Sequence, residues 1–179
     1  GGTILNAFGS RLTSSGTLTN GGQLTNERDS FFVTQSGSVE NTATGDLKNY
    51  GTMAIHEDGV FSNAGMLVSM KIGLEGAGLL ENSGQLTNTG TLETTNSGRI
   101  INYGTGTLSN GGLLHDFGEL SNVGRVENSG TLWIGGGILL NGDGGSLENS
   151  GDLTLTFNRY HATTLENSGS LNNRGTVRN

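Results

Sequence analysis

Val126-Glu127-Asn128-Ser129-Gly130-Thr131 is one copy of a six-residue unit, apolar-x-Asn-x-Gly-x, that fills almost the whole chain. It recurs nearly verbatim at Leu80-Glu81-Asn82-Ser83-Gly84, Leu147-Glu148-Asn149-Ser150-Gly151 and Leu165-Glu166-Asn167-Ser168-Gly169. A period of six matches no face of a helix, and glycine at every second helical turn would cost about 1 kcal/mol each time. Alternation within Thr-Leu-x-Asn fits a strand of about four residues. Asn-x-Gly then supplies a bend, since Asn and Gly take left-handed backbone angles most readily. Three short strands and three bends per turn predict an all-β fold, a triangular parallel β-helix (β-solenoid). No single turn buries its apolar residues; stacking puts each on the next.

Taken in threes from Leu18, the apolar anchors Leu18, Val39, Phe61, Leu86, Leu108, Val126, Leu147 and Leu171 open successive turns, 21, 22, 25, 22, 18, 21 and 24 residues apart. Two residues after each stands Asn20, Asn41, Asn63, Asn88, Asn110, Asn128, Asn149 or Asn173. These asparagines are expected to stack at one corner, their amides bonded up and down the rod as in cross-β assemblies. Gly follows two residues later except after Asn41, where it is displaced to Gly45. About eight turns at about 4.8 Å each give a rod about 40 Å tall, a single domain over residues 1–179.

Counted this way, the second hexads carry the long insertions, at 26–32, 70–76 and 157–164. Insertions on one flank of a solenoid form loops that often bind. Arg28, Phe31, Lys71, Arg159, Tyr160 and His161 are therefore the candidate contact residues. The hexad count also sets His56 and His115 on different faces, each reading as a solvated surface histidine. Glu81, Glu127, Glu148 and Glu166 follow their anchors directly and read as an outward, solvated stripe.

Composition excludes several classes. Glycine supplies 33 residues while proline and cysteine are absent, so there is neither a collagen repeat nor a disulfide framework. The net charge of −7 argues against nucleic acid as a partner. No apolar run of about 18 residues exists for membrane insertion. Gly142-Asp143-Gly144-Gly145 has the look of a calcium-binding glycine-rich turn, but the tandem pattern such sites need is missing. No cofactor is implied, and no acids cluster as a polysaccharide lyase would require. Only one turn, at Thr17 and Thr19, has Thr on both sides of its anchor, which makes a poor ice-binding face.

The Leu-x-Asn-x-Gly runs resemble those of secreted bacterial β-solenoids of the filamentous-haemagglutinin and autotransporter-passenger type. That resemblance covers essentially the whole chain and rests on its turn chemistry. It implies a right-handed parallel β-helix, an extracellular or cell-surface location, and a scaffold or adhesive role. The cleaner hexad here also suggests the left-handed helix of hexapeptide acyltransferases. That pattern, however, places a small residue after the anchor, so right-handed is favoured over left-handed.

The expected function is a non-enzymatic structural solenoid, a filament subunit or adhesin shaft. Its alternative is a carbohydrate-binding or polysaccharide-cleaving β-helix with its site on the second-hexad loops. Partners expected are further copies of the chain joined head to tail, since Gly2-Thr3-Ile4-Leu5-Asn6 and Gly175-Thr176-Val177-Arg178-Asn179 both read as repeat. A surface glycan or cell-surface partner is the other candidate.

Overall fold

In the computed structural model, which describes residues 2–95, 97–157 and 162–179, short parallel strands wind about nine times round a common axis, three to a turn. Thr3–Asn6, Arg11–Ser14 and Thr17–Asn20 head the three faces. The first face continues through Gln23–Asn26, Asp46–Asn49, Thr107–Asn110, Arg125–Asn128, Ser146–Asn149 and Ser170–Asn173. The second runs through Phe31–Gln35, Thr52–His56, Leu113–Asp116, Thr131–Gly135, Asp152–Thr156 and Thr176–Arg178. Two longer strands, Met66–Glu75 and Gln85–Thr94, pass the corner between these faces without a break and belong to both. The third face, from Ser38–Asn41 and Val60–Asn63 to Ile138–Asn141 and Thr164–Asn167, is a separate eight-stranded sheet.

Pairing is in register, so like stacks on like. On the first face Leu24, Leu47, Leu67, Leu86, Leu108, Val126 and Leu147 form one buried column. Each leucine so buried stabilises the fold by about 1.5–3 kcal/mol relative to exposure. The second face contributes Phe32, Met53, Ile72, Leu92, Leu114, Leu132 and Leu153, and the third Val39, Phe61, Leu80, Ile100, Leu120 and Leu139. Where two apolar residues adjoin, register decides which points in: Phe32 rather than Val33 stacks on Leu12, and Leu139 rather than Leu140 on Leu120.

Asparagine lies two residues beyond each anchor and so points to the same side, inward, at the corner. The eight asparagines expected in one column fall in two. Asn20, Asn41 and Asn63 continue through Asn82, Asn102, Asn122, Asn141 and Asn167 at the third-face corner. Asn88, Asn110, Asn128, Asn149 and Asn173 belong to the first-face corner, which begins with Asn6, Asn26, Asn49 and Ser69. The slip arises at 70–76. That stretch is not a loop but a strand, with Ile72 and Leu74 fully buried and only Met70 turning the corner before it. One strand overlooked there displaces every later turn by a face. The carboxylate stripe divides likewise, Glu81 and Glu166 on the third face, Glu127 and Glu148 on the first. His56 and His115, expected on different faces, share the second.

Each ladder amide is satisfied. Asn110 Nδ2 donates to Asn128 Oδ1 at 2.7 Å and to Thr131 O at 2.8 Å in the next turn, while it accepts from Asn88 Nδ2 at 2.7 Å. The third-face ladder repeats this through seven links of 2.6–2.8 Å. Glycine at these corners has a different cause from the one expected. No ladder Asn and no glycine of the Asn-x-Gly corners is left-handed. Gly130 is glycine because the corners stack on one another: a Cβ there would lie 2.1 Å from Gly112 O. Nor are insertions confined to one flank, since corners of three or four residues occur at 27–30, 42–45 and 57–59, one on each edge.

Candidate contact surface

The corner where the first face turns into the second carries one projecting residue or short loop per turn, stacked along the rod. Because each ladder asparagine points inward, the residue after it must point outward. At Asn49 that residue is Tyr50, whose N–H donates to Asn26 O at 2.8 Å. Gly51 then lets the corner sit against the turn below, since a Cβ there would lie 2.3 Å from Ser30 O. One turn earlier the corner is the longer loop Glu27-Arg28-Asp29-Ser30. The single Ser30 hydroxyl proton is shared between Asn26 Oδ1 at 2.8 Å and Glu27 O, which closes the loop, and Asp29 takes a left-handed φ of 57°. Asp is one of the few residues that tolerates that conformation. Glu27 Oε2 accepts from Phe8 N–H at 2.8 Å, so the first two corners are tied together.

Three rings stand out here: Phe8 is 70% exposed, Phe31 48% and Tyr50 44%. Tyr50 separates two hollows. One, of about 400 Å³, is lined by Phe8, Glu27, Arg28 and Tyr50; the other, of about 390 Å³, by Asp29, Phe31, Tyr50, Thr52 and Lys71. Arg28, Phe31 and Lys71 of the expected set are thus gathered round one tyrosine. Phe31 opens a strand and Lys71 lies on one, so neither is a loop residue. Neither Arg28 nor Lys71 has an ion pair among the described residues. Arg159, Tyr160 and His161 lie outside the described residues. Rings, methionine and arginine are what protein interfaces enrich, and Met70 extends this patch by one more turn.

Further along the same corner its character reverses. Thr87, Ser109, Glu127, Ser129, Glu148 and Arg174 line a polar groove of about 450 Å³. Arg125 Nη2 lies 2.7 Å from Glu127 and 3.2 Å from Glu148, so one guanidinium serves two carboxylates. Ser109 Oγ donates to Glu127 Oε2 at 3.0 Å.

A second cluster sits on the second face. His115 stacks on Trp133 with centroids 4.1 Å apart and planes 12° from parallel, and Phe117 tilts against it at 4.1 Å. Trp133 Nε1–H donates to Thr156 Oγ1. Burial pushes the His115 pKa down, and Glu93, 3.8 Å away, opposes this. On the inner side of the same strand Asp116 is buried. Thr94 Oγ1 donates to its Oδ1 at 2.5 Å and Gly118 N–H at 3.1 Å, while Oδ2 has no partner among the described residues. Burial raises this carboxyl to about 6, against those two hydrogen bonds.

Tyr50 and Phe8 escaped the sequence reading, though Tyr50 had a signal. In Asn-x-Gly the x position faces solvent, so a ring there, as at Tyr50 and Tyr103, is displayed. Tyr103 donates its hydroxyl to Glu81 Oε1 at 2.6 Å, which raises its pKa, whereas Tyr50 has no side-chain hydrogen bond among the described residues. No protein-family model matches the chain, and no curated protein or solved structure matches it either; the site is therefore read from its own geometry as a contact surface on a parallel β-solenoid with asparagine ladders.

Proposed function

We propose that the chain is an extracellular structural β-solenoid, the shaft of a surface adhesin or the subunit of a filament, with the first-to-second corner as its contact edge. The observation that carries this is the third-face ladder, which passes through eight asparagines without interruption. Each turn offers the next the same amides, carbonyls and leucines it received, so a rod lengthens by repetition with no new chemistry. The extracellular setting rests on the resemblance of the Leu-x-Asn-x-Gly runs to secreted adhesins. Electron micrographs of the purified chain should show rods on the order of 40 Å long, or multiples of that where turns of separate copies stack. Round particles would reject the reading.

A second reading, glycan binding, draws on the two hollows around Tyr50. Exposed rings offer faces on which sugars stack, and Arg28 and Lys71 would favour an acidic sugar. Tyrosine fluorescence titrated with neutral and acidic oligosaccharides tests it, and an unchanged signal in Tyr50→Ala as well as in the parent would reject it.

A further inference from the structure

Asparagine is followed directly by glycine three times in the chain, at Asn20-Gly21, Asn110-Gly111 and Asn141-Gly142, and each of these asparagines is a ladder residue. Such a pair is chemically labile, because glycine has no side chain to shield its nitrogen from the amide before it. The fold treats the three differently. At Asn110 the Gly111 N–H donates to Asn88 O at 2.9 Å. The Asn110 amide donates to Asn128 Oδ1 and Thr131 O, at 2.7 and 2.8 Å, and accepts from Asn88 Nδ2 at 2.7 Å. Asn141 is held the same way. Gly142 N–H donates to Asn122 O at 2.8 Å, Asn141 Nδ2 donates to Asn167 Oδ1 and Ser170 O at 2.6 and 2.9 Å, and Oδ1 accepts from Asn122 Nδ2 at 2.7 Å.

Asn20 ends the strand that heads the third face, and neither hold is complete there. Gly21 is exposed, and its N–H has no hydrogen-bond partner among the described residues. Among those residues Asn20 Nδ2 donates only to Asn41 Oδ1, at 2.8 Å, and Oδ1 accepts only from Gly22 N–H, at 3.3 Å. The next turn grips the carbonyls instead: Thr42 N–H donates to Asn20 O at 3.0 Å and Thr44 Oγ1 to Gly21 O at 3.1 Å.

We propose that Asn20-Gly21 is a site of spontaneous covalent modification in the folded chain, its side-chain amide lost as ammonia, and that the ladders protect the other two pairs. The Gly21 nitrogen attacks Asn20 Cγ. A C–N bond forms, the Cγ–Nδ2 bond breaks, and the Gly21 amide proton leaves with Nδ2 as ammonia. Water then opens the five-membered imide at one carbonyl or the other, giving aspartate or isoaspartate at position 20. Nothing is oxidised or reduced. Attack requires a free glycine nitrogen and an asparagine side chain turned out of its ladder. At Asn110 and Asn141 the nitrogen is bonded and the amide is held from both sides; at Asn20 the nitrogen is free and one ladder bond holds the amide. At about tenfold per bond, two further bonds to break make the reactive population about a hundredfold smaller. The product alters the rung, because a carboxylate has no proton to give Asn41 Oδ1. The change is one-way, adds a negative charge, and loosens the ladder at its first turn.

The folded 179-residue chain, incubated at mildly alkaline pH and then digested for mass spectrometry, should show –NH₂ exchanged for –OH at Asn20. Asn110 and Asn141 in the same sample should react about a hundredfold more slowly. In urea all three should react at similar rates, which separates the fold from the sequence. Hydrogen exchange supplies an independent readout: Gly21 N–H should exchange freely, while those of Gly111 and Gly142 are protected. An added turn tests the cause. Residues 3–22 duplicated ahead of Thr3 fall in register, because Thr3 pairs with Gln23, and they set an asparagine carbonyl against Gly21 N–H. Asn20 should then join the slow class and the reactivity pass to its copy, told apart by the residues that follow it. Equal rates at the three pairs in the folded chain, a protected Gly21 N–H, or an Asn20 that reacts as fast beside the added turn would each overturn the proposal. None of these outcomes bears on whether the molecules are rods, so the shaft reading stands or falls separately.

Discussion

Two corners of the rod carry asparagine at every turn or nearly so; the third, where the second face meets the third, does not. Its inward positions are occupied in order by Ser14, Thr34, Ile55, Leu74, Thr94, Asp116, Ile134 and Leu155. The apolar members need no partner. The polar ones are unevenly served: Ser14 and Thr94 hydroxyls are hydrogen-bonded, but Thr34 Oγ1 and Asp116 Oδ2 are buried with no hydrogen-bond partner among the described residues. No ladder asparagine shares that condition. The difference teaches why the repeat is so strict where it is strict. An amide presents a donor and an acceptor, so identical amides stacked about one strand spacing apart satisfy one another indefinitely. A hydroxyl or carboxyl in a mixed column depends on whatever its neighbour happens to be.

Breaking a ladder in its middle should therefore have the largest effect. Asn128 accepts from Asn110 and donates to Asn149 Oδ1 and Asp152 O, at 2.7, 2.6 and 2.9 Å. Asn128→Leu leaves Asn110 Nδ2 and Asp152 O each short of one partner and Asn149 Oδ1 without its ladder donor, all buried or partly so. At about 1–3 kcal/mol per unsatisfied group the loss should reach about 3 kcal/mol or more, read as a lower urea midpoint. A similar loss from Ile55→Ala would come from a cavity alone and should respond to added volume; the Asn128→Leu loss should not.

Asp116 tests the corner without a ladder, and here the sign is the reverse. The folded chain holds this proton with a pKa of about 6 against a model-peptide value of 3.8, so it binds the proton more tightly than the unfolded chain. Stability contributed by the neutral carboxyl is complete below pH 4, falls as pH rises to about 6, and is gone above that. The difference of about two pH units corresponds to about 3 kcal/mol. Asp116→Asn cannot ionise. Relative to the parent it should gain about 3 kcal/mol between pH 4 and pH 8, measured as the difference in unfolding free energy at each pH. His115 titrates in both proteins and cancels in that difference. A difference that does not vary with pH would mean the carboxyl is not held neutral by its burial.

How much of this was legible follows the same division. At the laddered corners the sequence announces both the strand and the bend, because Leu-x-Asn-x-Gly encodes the inward leucine, the inward amide and the glycine that close stacking demands. The non-laddered corner has no such word. Lys71-Ile72-Gly73-Leu74-Glu75 is as regular a strand as any, but Leu74 stands where Asn would have marked its end, and Gly73 masks the alternation. Hence the sequence predicts a loop where this strand lies, and one column of asparagines where there are two. The contact surface was half visible for a related reason. Charged and aromatic residues inside insertions draw the eye to Arg28 and Phe31. Tyr50 sits within a regular hexad, and only the stacking of turns shows that it stands between them.

The smallest effect expected is also the one that most sharpens the comparison, because it repairs a ladder instead of breaking one. In the first-face column Ser69 occupies the place of an asparagine. Asn49 Nδ2 donates to Ser69 Oγ at 2.7 Å and to Lys71 O at 2.7 Å, but the serine has no amide to pass on, and the chain of side-chain bonds resumes only at Asn88. The same corner is shortened: a single residue, Met70, stands where other turns have x-Gly, and the register with the next turn shifts between Ser69 and Lys71. Two causes are thus mixed, a missing amide and a missing glycine. Ser69→Asn supplies the amide alone. It should accept from Asn49 and donate to Asn88 Oδ1, raising stability by about 1 kcal/mol, the net worth of one buried hydrogen bond. If the short corner leaves no room, the substitution will instead cost about 1–3 kcal/mol through overpacking. Inserting a glycine between Met70 and Lys71 of the Ser69→Asn chain separates the two, because it rebuilds Asn-x-Gly in full. Stability recovered only with the inserted glycine would show that spacing, and not the amide, sets serine at this turn. A gain from Ser69→Asn by itself would show that the ladder tolerates any corner so long as its amides meet.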